Sequence, residues 1–277
     1  MCPVHARSER KKGVMAFRLF KKIVDQMEPY KKHITKFDLW GLGEPLIDKT
    51  LDDKIRYAKG KGFTNLAIAT NADLLTEEVA KKLLVAELDT IIFSIDGTTK
   101  QTHEKIRVRT DFDRLVKNSH RTIEMRDAGN YKTRFVFRFI RQKSNVSEWE
   151  SFREYWKKYI SEEKGDIVIG YDVHTWGGEI DVHATHELSQ KVPEQLPCHH
   201  VFDRLIILRD GTVPLCCSDL HHAEYAFGNV RNASPIDIFN NPRAQSIRAI
   251  HNSGKRNSLK ICSDCTILES ELAQDVI

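Results

Sequence analysis

Helical and strand-like patterns of apolar residues alternate along the first 174 residues of this 277-residue chain. Residues 14–27 place apolar side chains at helical spacing, whereas Thr90–Ile95 is almost continuously apolar, as parallel strands buried on both faces are. Further strand patterns lie near residues 37, 66, 134 and 167, and helical patterns fill the intervals between them, among them 112–128 and 146–160. This alternation predicts an α/β fold, a partial (β/α)6 TIM-like barrel of parallel strands covered by helices.

Polar residues follow the predicted strands directly. Glu44 comes after the first strand, Asn71 after the second, and Ser94 and Asp96 close the third. Taken singly, Glu44 or Asn71 would equally suit a turn or a helix cap. Because ligand sites of parallel α/β folds collect at the carboxyl ends of the strands, four such residues in succession predict one site.

The alternation ends in a polar stretch, 179–195, which is predicted to link a barrel domain, 1–178, to a cysteine-rich domain, 196–277. Within the second domain, Ser234 and Pro235 suit the cap and first turn of a helix, which is predicted to run to about His251.

Five of the six cysteines lie in the last eighty residues. Cys198 and Cys216 are separated by seventeen residues that include Gly211, and a C-x2-C pair, Cys262 and Cys265, follows. Four such thiolates can enclose a tetrahedral four-sulfur site, which suits an iron–sulfur cluster or zinc. A disulfide framework is disfavoured because the N-terminus shows no secretion signal, which indicates a reducing, cytoplasmic setting.

The charge pattern argues against nucleic acid as a partner. Lysine and arginine number 43 against 39 aspartate and glutamate, so the net charge of +4 is small, and it is spread along the whole chain. Basic clusters such as Arg10–Lys12 are interpreted as solvated helix faces. No apolar run approaches the length of about 20 residues that a membrane span needs.

The strand-end residues resemble motifs of the radical S-adenosylmethionine (SAM) superfamily. Gly43-Glu44-Pro45 resembles the family motif that holds the amino group of SAM, and Arg107 matches an arginine for the SAM carboxylate. The other similar segments are Thr70-Asn71, Ser94-Ile95-Asp96-Gly97 and Asn145–Glu148. Leu42 and Ala72 replace glycines of the family motifs, and the two loops are expected to be slightly reshaped. The cysteine-rich domain is similar to the SPASM/twitch extension, which carries auxiliary iron–sulfur clusters.

The family binds its SAM-cleaving [4Fe–4S] cluster through C-x3-C-x2-C, and here Cys2 alone matches, as the third cysteine. The chain is therefore expected to be truncated at its N-terminus, without the first strand and two ligands, and inactive on its own. Cys198, Cys216, Cys262 and Cys265 are expected to hold one auxiliary [4Fe–4S] cluster, with Cys217 as the spare cysteine and His199 and His200 as alternative zinc ligands.

The resemblance implies an oxidoreductase or maturase that cleaves SAM reductively to a 5′-deoxyadenosyl radical and removes a hydrogen atom from a substrate. Its electron would come from a donor such as flavodoxin or ferredoxin. The spacing of the cysteines is similar to that of twitch-type cyclitol dehydrogenases, so oxidation of an alcohol in a sugar or cyclitol is expected. Peptide maturation is the first alternative.

A zinc-binding protein without catalysis is the second alternative, although it would leave the barrel pattern without a role. The sequence says little about the substrate. Trp176–Glu179, just past the last predicted strand, could line its pocket, or could be a loop with one buried tryptophan.

Overall fold

Five parallel strands form the centre of the protein. The structure, a computed structural model, describes residues 11–182 and 191–276. The strands are β1 (Phe37–Asp38), β2 (Leu66–Thr70), β3 (Thr90–Ser94), β4 (Arg134–Arg141) and β5 (Ile167–Asp172). They pair in chain order, each parallel to the next. The predicted α/β architecture is confirmed, and the strands lie where the apolar pattern placed them.

Helices connect the strands and cover one face of the sheet. They are α1 (Phe17–Met27), α2 (Leu51–Gly60), α3 (Glu77–Val85), α4 (Lys100–Ile106), α5 (Phe112–Ala128) and α6 (Trp149–Lys157). Side chains cap several of them: Asp111, for example, accepts a hydrogen bond from Arg114 N–H at the start of α5. The core between helices and sheet includes Phe93, Phe135 and Phe137, which are fully buried.

The opposite face of the sheet carries a separate, smaller apolar cluster. Ala69, Ile92, Val136 and Ile169 form it, one from each of β2 to β5. Since side chains alternate between the faces of a strand, residues two positions further along point the same way. This face and the adjoining carboxyl ends of the strands therefore hold the candidate site.

The C-terminal region packs on the barrel through its own core. It contains α7 (His200–Asp203), β6 (Thr212–Val213), β7 (Gly228–Asn229), α8 (Pro235–Phe239), α9 (Pro242–Asn252), α10 (Lys260–Ser263), α11 (Ile267–Leu272) and β8 (Asp275–Val276). Leu19 and Ile23 of α1 belong to this core, and β8 pairs antiparallel with β5. The division into 1–178, 179–195 and 196–277 stays a prediction, and 183–190 of that linker lie outside the described residues.

One predicted element is wrong. The helix expected from Pro235 to about His251 is two helices, α8 and α9, separated at Asn240 and Asn241. Pro242 has no N–H to continue the hydrogen-bond ladder, and the Asn241 side chain instead caps α9 by accepting from Ala244 N–H. Among the described residues, no helix is long and apolar enough to cross a membrane.

Candidate functional site

Glu44 connects the ends of the first two strands. It lies in the turn after β1, and one carboxylate oxygen accepts hydrogen bonds from Leu46 N–H, at 3.0 Å, and the Thr70 hydroxyl, at 2.7 Å. The other accepts from Asn71 N–H at 2.9 Å. Burial raises the pKa of Glu44, although these bonds oppose the shift. The carboxylate is thus fixed in place in a largely desolvated position.

Glycine-like backbone conformations shape both loops at this point. Gly43 has φ +88°, and a side chain there would meet nothing within 4 Å, so the conformation itself accounts for the glycine. Ala72 is fully buried at φ +62°, where the family has glycine. Ala72 therefore adopts the left-handed conformation that glycine adopts without strain, and its side chain adds about 1–2 kcal/mol of conformational strain. The Asn71 side chain accepts a hydrogen bond from Asp73 N–H within the same loop.

Asp96 and Arg107 form an ion pair at the end of β3. Arg107 Nε donates to one carboxylate oxygen of Asp96 at 2.5 Å, and Ile140 N–H donates to the other at 2.7 Å. Asp96 N–H donates to Nδ1 of the buried His103, which fixes α4 against the strand end. Burial lowers the pKa of His103 to about 4, so this ring is neutral. Asp96 is completely buried, and its carboxylate holds Arg107 in place at the end of β3.

The Asn145–Glu148 segment holds these loops from the other side. Asn145 Nδ2 donates to the carbonyls of Asp96 and Ile140, both at 3.0 Å. Glu148 accepts from Thr98 N–H and from two threonine hydroxyls. The segment that matches the family's N-x-x-E is therefore a scaffold for the loop after β3.

Arg138 is a site residue that sequence reasoning missed. It lies on β4, its Nη2 donates to the Ser94 hydroxyl at 2.7 Å, and its guanidinium lies 5.5 Å from the Trp40 ring centre. Its Nε is buried without a hydrogen-bond partner among the described residues. A charged residue inside an apolar strand, Arg-Phe-Val-Phe-Arg-Phe, was the available signal.

The structure brings the predicted barrel residues together at one edge of the sheet. Glu44 contacts Asn71 directly, Asp96 contacts Arg107, and the charge of Arg107 is one of the influences that lower the pKa of Glu44. Ser94 lies on the same face through its bond to Arg138. Their roles in binding SAM, and that of Pro45 in the same turn, stay predictions. Cys2 lies outside the described residues.

The four predicted cluster cysteines line one cavity in the C-terminal region. Its walls include Cys198, Cys216, Cys262 and Cys265. Cys217 is not part of this lining, and its sulfur lies 3.6 Å from Nδ1 of His200. Cys216 thus lines the cavity and its neighbour does not, although the two thiols are hydrogen-bonded to each other; which of them is a cluster ligand stays a prediction.

These thiols are buried, and burial disfavours their anionic form. It raises the pKa of Cys198 to about 12 and also raises those of Cys262 and Cys265. The hydrogen bond between the Cys216 and Cys217 thiols, in which the Cys216 S–H donates, raises the pKa of Cys216, and burial raises it further. Four thiolates in such a cavity need a positive charge between them. These residues therefore fit a bound metal group that replaces the thiol protons.

The spacing of the sulfurs argues against a single zinc ion. Zinc–sulfur bonds of about 2.3 Å in a tetrahedron place the ligand sulfurs about 3.8 Å apart. Within residues 11–182 and 191–276, no three of the cysteine sulfurs lie within 4.8 Å of one another. A cubane, whose ligands bind separate corner irons, accommodates a wider set. The separation of the sulfurs therefore suits a [4Fe–4S] cluster better than a single zinc ion.

His199 and His200 share the carboxylate of Glu271, and His200 also lines the cysteine cavity, with its Nδ1 3.6 Å from the sulfur of Cys217. Their Nε2 atoms lie 2.7 and 2.8 Å from the two carboxylate oxygens of Glu271, and Arg204 adds a contact at 3.1 Å. Although burial acts to raise the pKa of Glu271, hydrogen bonds from both histidines hold it at about 2. The pair therefore links α7 to α11. One ligand atom from each of His199, His200 and Glu271 lies within 4.8 Å of the others, and zinc on these histidines stays a prediction.

The Trp176–Glu179 loop lines a second cavity, of about 250 Å³. A Cβ on Gly177, which has φ +69°, would approach Ile261 Cγ1 to 2.8 Å, so the loop packs closely against α10. Ser218 also lines this cavity and contacts the sulfur of Cys265 at 3.7 Å. The cavity is therefore next to the cysteine site.

Two family models match the chain in the same order as the two sites. The radical SAM superfamily model matches residues 1–128, and that of SPASM, an iron–sulfur cluster-binding domain, matches residues 198–266. The chain belongs to the radical SAM superfamily and carries a SPASM domain. Members of the superfamily are enzymes, and their cofactors are [4Fe–4S] clusters and SAM, which the predicted cofactors match.

Individual proteins give a consistent comparison. The tungsten-containing aldehyde ferredoxin oxidoreductase cofactor-modifying protein of Pyrococcus furiosus is 27% identical over 308 residues, covering 95% of this chain and 82% of that protein. Among solved structures, BtrN in complex with AdoMet and 2-DOIA has a TM-score of 0.63 at 18% identity and covers 95% of this chain and 85% of that one. The structure of SuiB from Streptococcus suis bound to precursor peptide SuiA has a TM-score of 0.64 at 13% identity, and the match covers 98% of this chain and 67% of SuiB. These structures share the fold.

Proposed function

We propose that the protein is a radical SAM oxidoreductase in which the auxiliary cluster accepts an electron from the substrate. The observation that carries this proposal is the cavity lined by four cysteines, Cys198, Cys216, Cys262 and Cys265. Four protein ligands leave no iron of an auxiliary cubane open to substrate, so such a cluster suits electron transfer rather than substrate binding.

When bound, a reduced [4Fe–4S] cluster and SAM supply a 5′-deoxyadenosyl radical, which removes a hydrogen atom from an unactivated carbon. A substrate alcohol that has lost this hydrogen atom must still lose one proton and one electron to become a carbonyl. The auxiliary site next to the barrel is the proposed destination of that electron. The first electron would come from an external one-electron donor such as flavodoxin or ferredoxin.

The barrel residues are proposed to hold SAM by its charged groups. Glu44 would accept hydrogen bonds from the ammonium group, and Arg107, aimed by Asp96, would bind the carboxylate. Ser94, paired with Arg138, would offer its hydroxyl to the ribose or the carboxylate. Gly43, Pro45 and Asn71 shape the turn around Glu44.

We propose a polar small molecule as the substrate, such as a sugar or cyclitol alcohol. BtrN was crystallised with 2-DOIA, and the Pyrococcus furiosus relative is named for modifying a cofactor, which supports this class. Peptide maturation is the second candidate, supported by the similarity to SuiB bound to a precursor peptide. Incubation of the active enzyme with each class of substrate separates the two candidates. Oxidised products from small alcohols but not from peptides would favour the first candidate, and the reverse would favour the second.

Iron content tests the auxiliary site directly. Anaerobically reconstituted protein should be brown, and Cys216→Ala should lower its iron by about four per chain. Cys217→Ala is the matched control and should retain the iron, since Cys217 does not line the cavity. A colourless protein that binds zinc at these cysteines would overturn the proposal, as would equal iron loss in both variants.

We further propose that residues 1–277 alone do not cleave SAM, because Cys2 is the single residue here that matches the C-x3-C-x2-C ligands. A chain with an engineered upstream segment that completes this motif should produce 5′-deoxyadenosine from SAM under reducing conditions. Equal production by residues 1–277 would contradict this part of the proposal.

A further inference from the structure

His251 lies against the cysteine cavity, and the proposed function leaves its role open. It is in the last turn of α9, its side chain is completely buried, and it lines the cavity together with the four cysteines. Each of its ring nitrogens contacts a different cysteine-bearing segment. Nδ1 is 3.2 Å from Cys198 N, and Nε2 is 3.8 Å from the sulfur of Cys262.

These contacts decide which nitrogen carries the proton. A backbone N–H can donate only, so Cys198 N–H must donate to Nδ1, and Nδ1 must hold a lone pair. An imidazole without a proton on Nδ1 carries one on Nε2. The N–H group of His251 therefore points at the sulfur of Cys262, at a distance within reach of a hydrogen bond to sulfur.

We propose that His251 donates a hydrogen bond from Nε2–H to the thiolate of Cys262 and so raises the reduction potential of the auxiliary cluster. The proposal rests on the proposed function, because it requires the four cysteines to hold that cluster. An N–H group at a ligand sulfur stabilises the additional negative charge of the reduced cluster, and such hydrogen bonds are among the determinants of iron–sulfur potentials. His251 would act through Cys262, as a residue that adjusts how readily the substrate's electron is accepted.

Two substitutions separate this role from a purely structural one. His251→Asn can keep an acceptor for Cys198 N–H but loses the donor to sulfur, whereas His251→Gln can present an amide N–H near the position of Nε2. The measurement is the midpoint potential of the auxiliary cluster, followed by EPR in an anaerobic redox titration of the cluster-loaded protein. SAM perturbs only the signal of a SAM-binding cluster, which identifies the auxiliary signal.

The asparagine variant should titrate at a more negative potential than the parent, and the glutamine variant should return towards the parent value. His120→Asn, on α5 and hydrogen-bonded to Tyr155, is the matched control and should leave the potential unchanged. An asparagine variant with full iron content and the parent potential would overturn the inference. Loss of the auxiliary iron from the parent itself would instead overturn the proposed function.

The parent protein provides a test that does not depend on a variant folding. With 15N confined to histidine ring nitrogens, pulsed EPR of the reduced auxiliary cluster should show a coupled 15N nucleus. A cluster with four iron atoms and no such coupling would contradict the hydrogen bond.

Discussion

The ion pair between Asp96 and Arg107 gives the sharpest prediction about the barrel site. Replacing Asp96 by alanine removes the acceptor of Arg107 Nε, at 2.5 Å, and of Ile140 N–H, at 2.7 Å. The Asp96 side chain is 0% exposed and that of Arg107 is 21% exposed. Breaking a buried ion pair lowers the free energy of unfolding by about 3–5 kcal/mol. Because one fifth of the Arg107 side chain is exposed, we expect the lower end of this range, about 3 kcal/mol.

Differential scanning calorimetry of Asp96→Ala should therefore show a Tm lower by roughly 6–12 °C. Asp113→Ala is the matched control. Its ion pair with Lys100 has a similar length, 2.6 Å, but side chains that are 57% and 73% exposed, so little change is expected.

A double variant refines the explanation. If the unpaired guanidinium is the source of the cost, Asp96→Ala combined with Arg107→Ala should be no less stable than Asp96→Ala alone. A drop in Tm for Asp96→Ala no larger than that of the control would refute the positioning role of Asp96. Strict additivity in the double variant would refute the coupling to Arg107.

Three further outcomes follow from neighbouring contacts. Burial raises the pKa of Glu44, so SAM affinity should begin to fall on acidification at a higher pH than for an ordinary glutamate, and Glu44→Gln should abolish that dependence in a binding titration. Ser94→Ala and Arg138→Ala should weaken SAM binding non-additively, because the two side chains are hydrogen-bonded; additive losses of affinity would exclude the coupling. Asp166→Ala should cost about 3 kcal/mol in denaturant unfolding, since it removes the fully buried carboxylate partner of Arg126 Nη1 and leaves only the half-exposed Asp127 at Nε; a smaller loss than 1 kcal/mol, about that of a surface pair, would contradict this.

The strands and the long helix could be predicted because their signals are local. A parallel strand buried on both faces is a continuous apolar run, as in Thr90–Ser94, and α5 begins beside a capping aspartate, Asp111, and ends before Gly129. The predicted helix after Ser234 failed for a local reason as well, because Pro242 interrupts an otherwise helical pattern. β8 carries no such signal, since a two-residue strand is too short to show a period.

The parts of the site that sequence reasoning missed depend on contacts between distant segments. His251 meets Cys198 across 53 residues, and Arg138 meets Ser94 across 44. Neither residue lies in a spaced motif, whereas the cysteines do, because a cluster imposes the same ligand spacing whatever else the chain binds. A substrate imposes no comparable spacing: its contacts come from whichever side chains reach the cavity. For this reason the cofactor chemistry can be deduced from short motifs, while the identity of the substrate depends on surfaces such as the Trp176–Glu179 cavity, whose lining comes from separate parts of the chain.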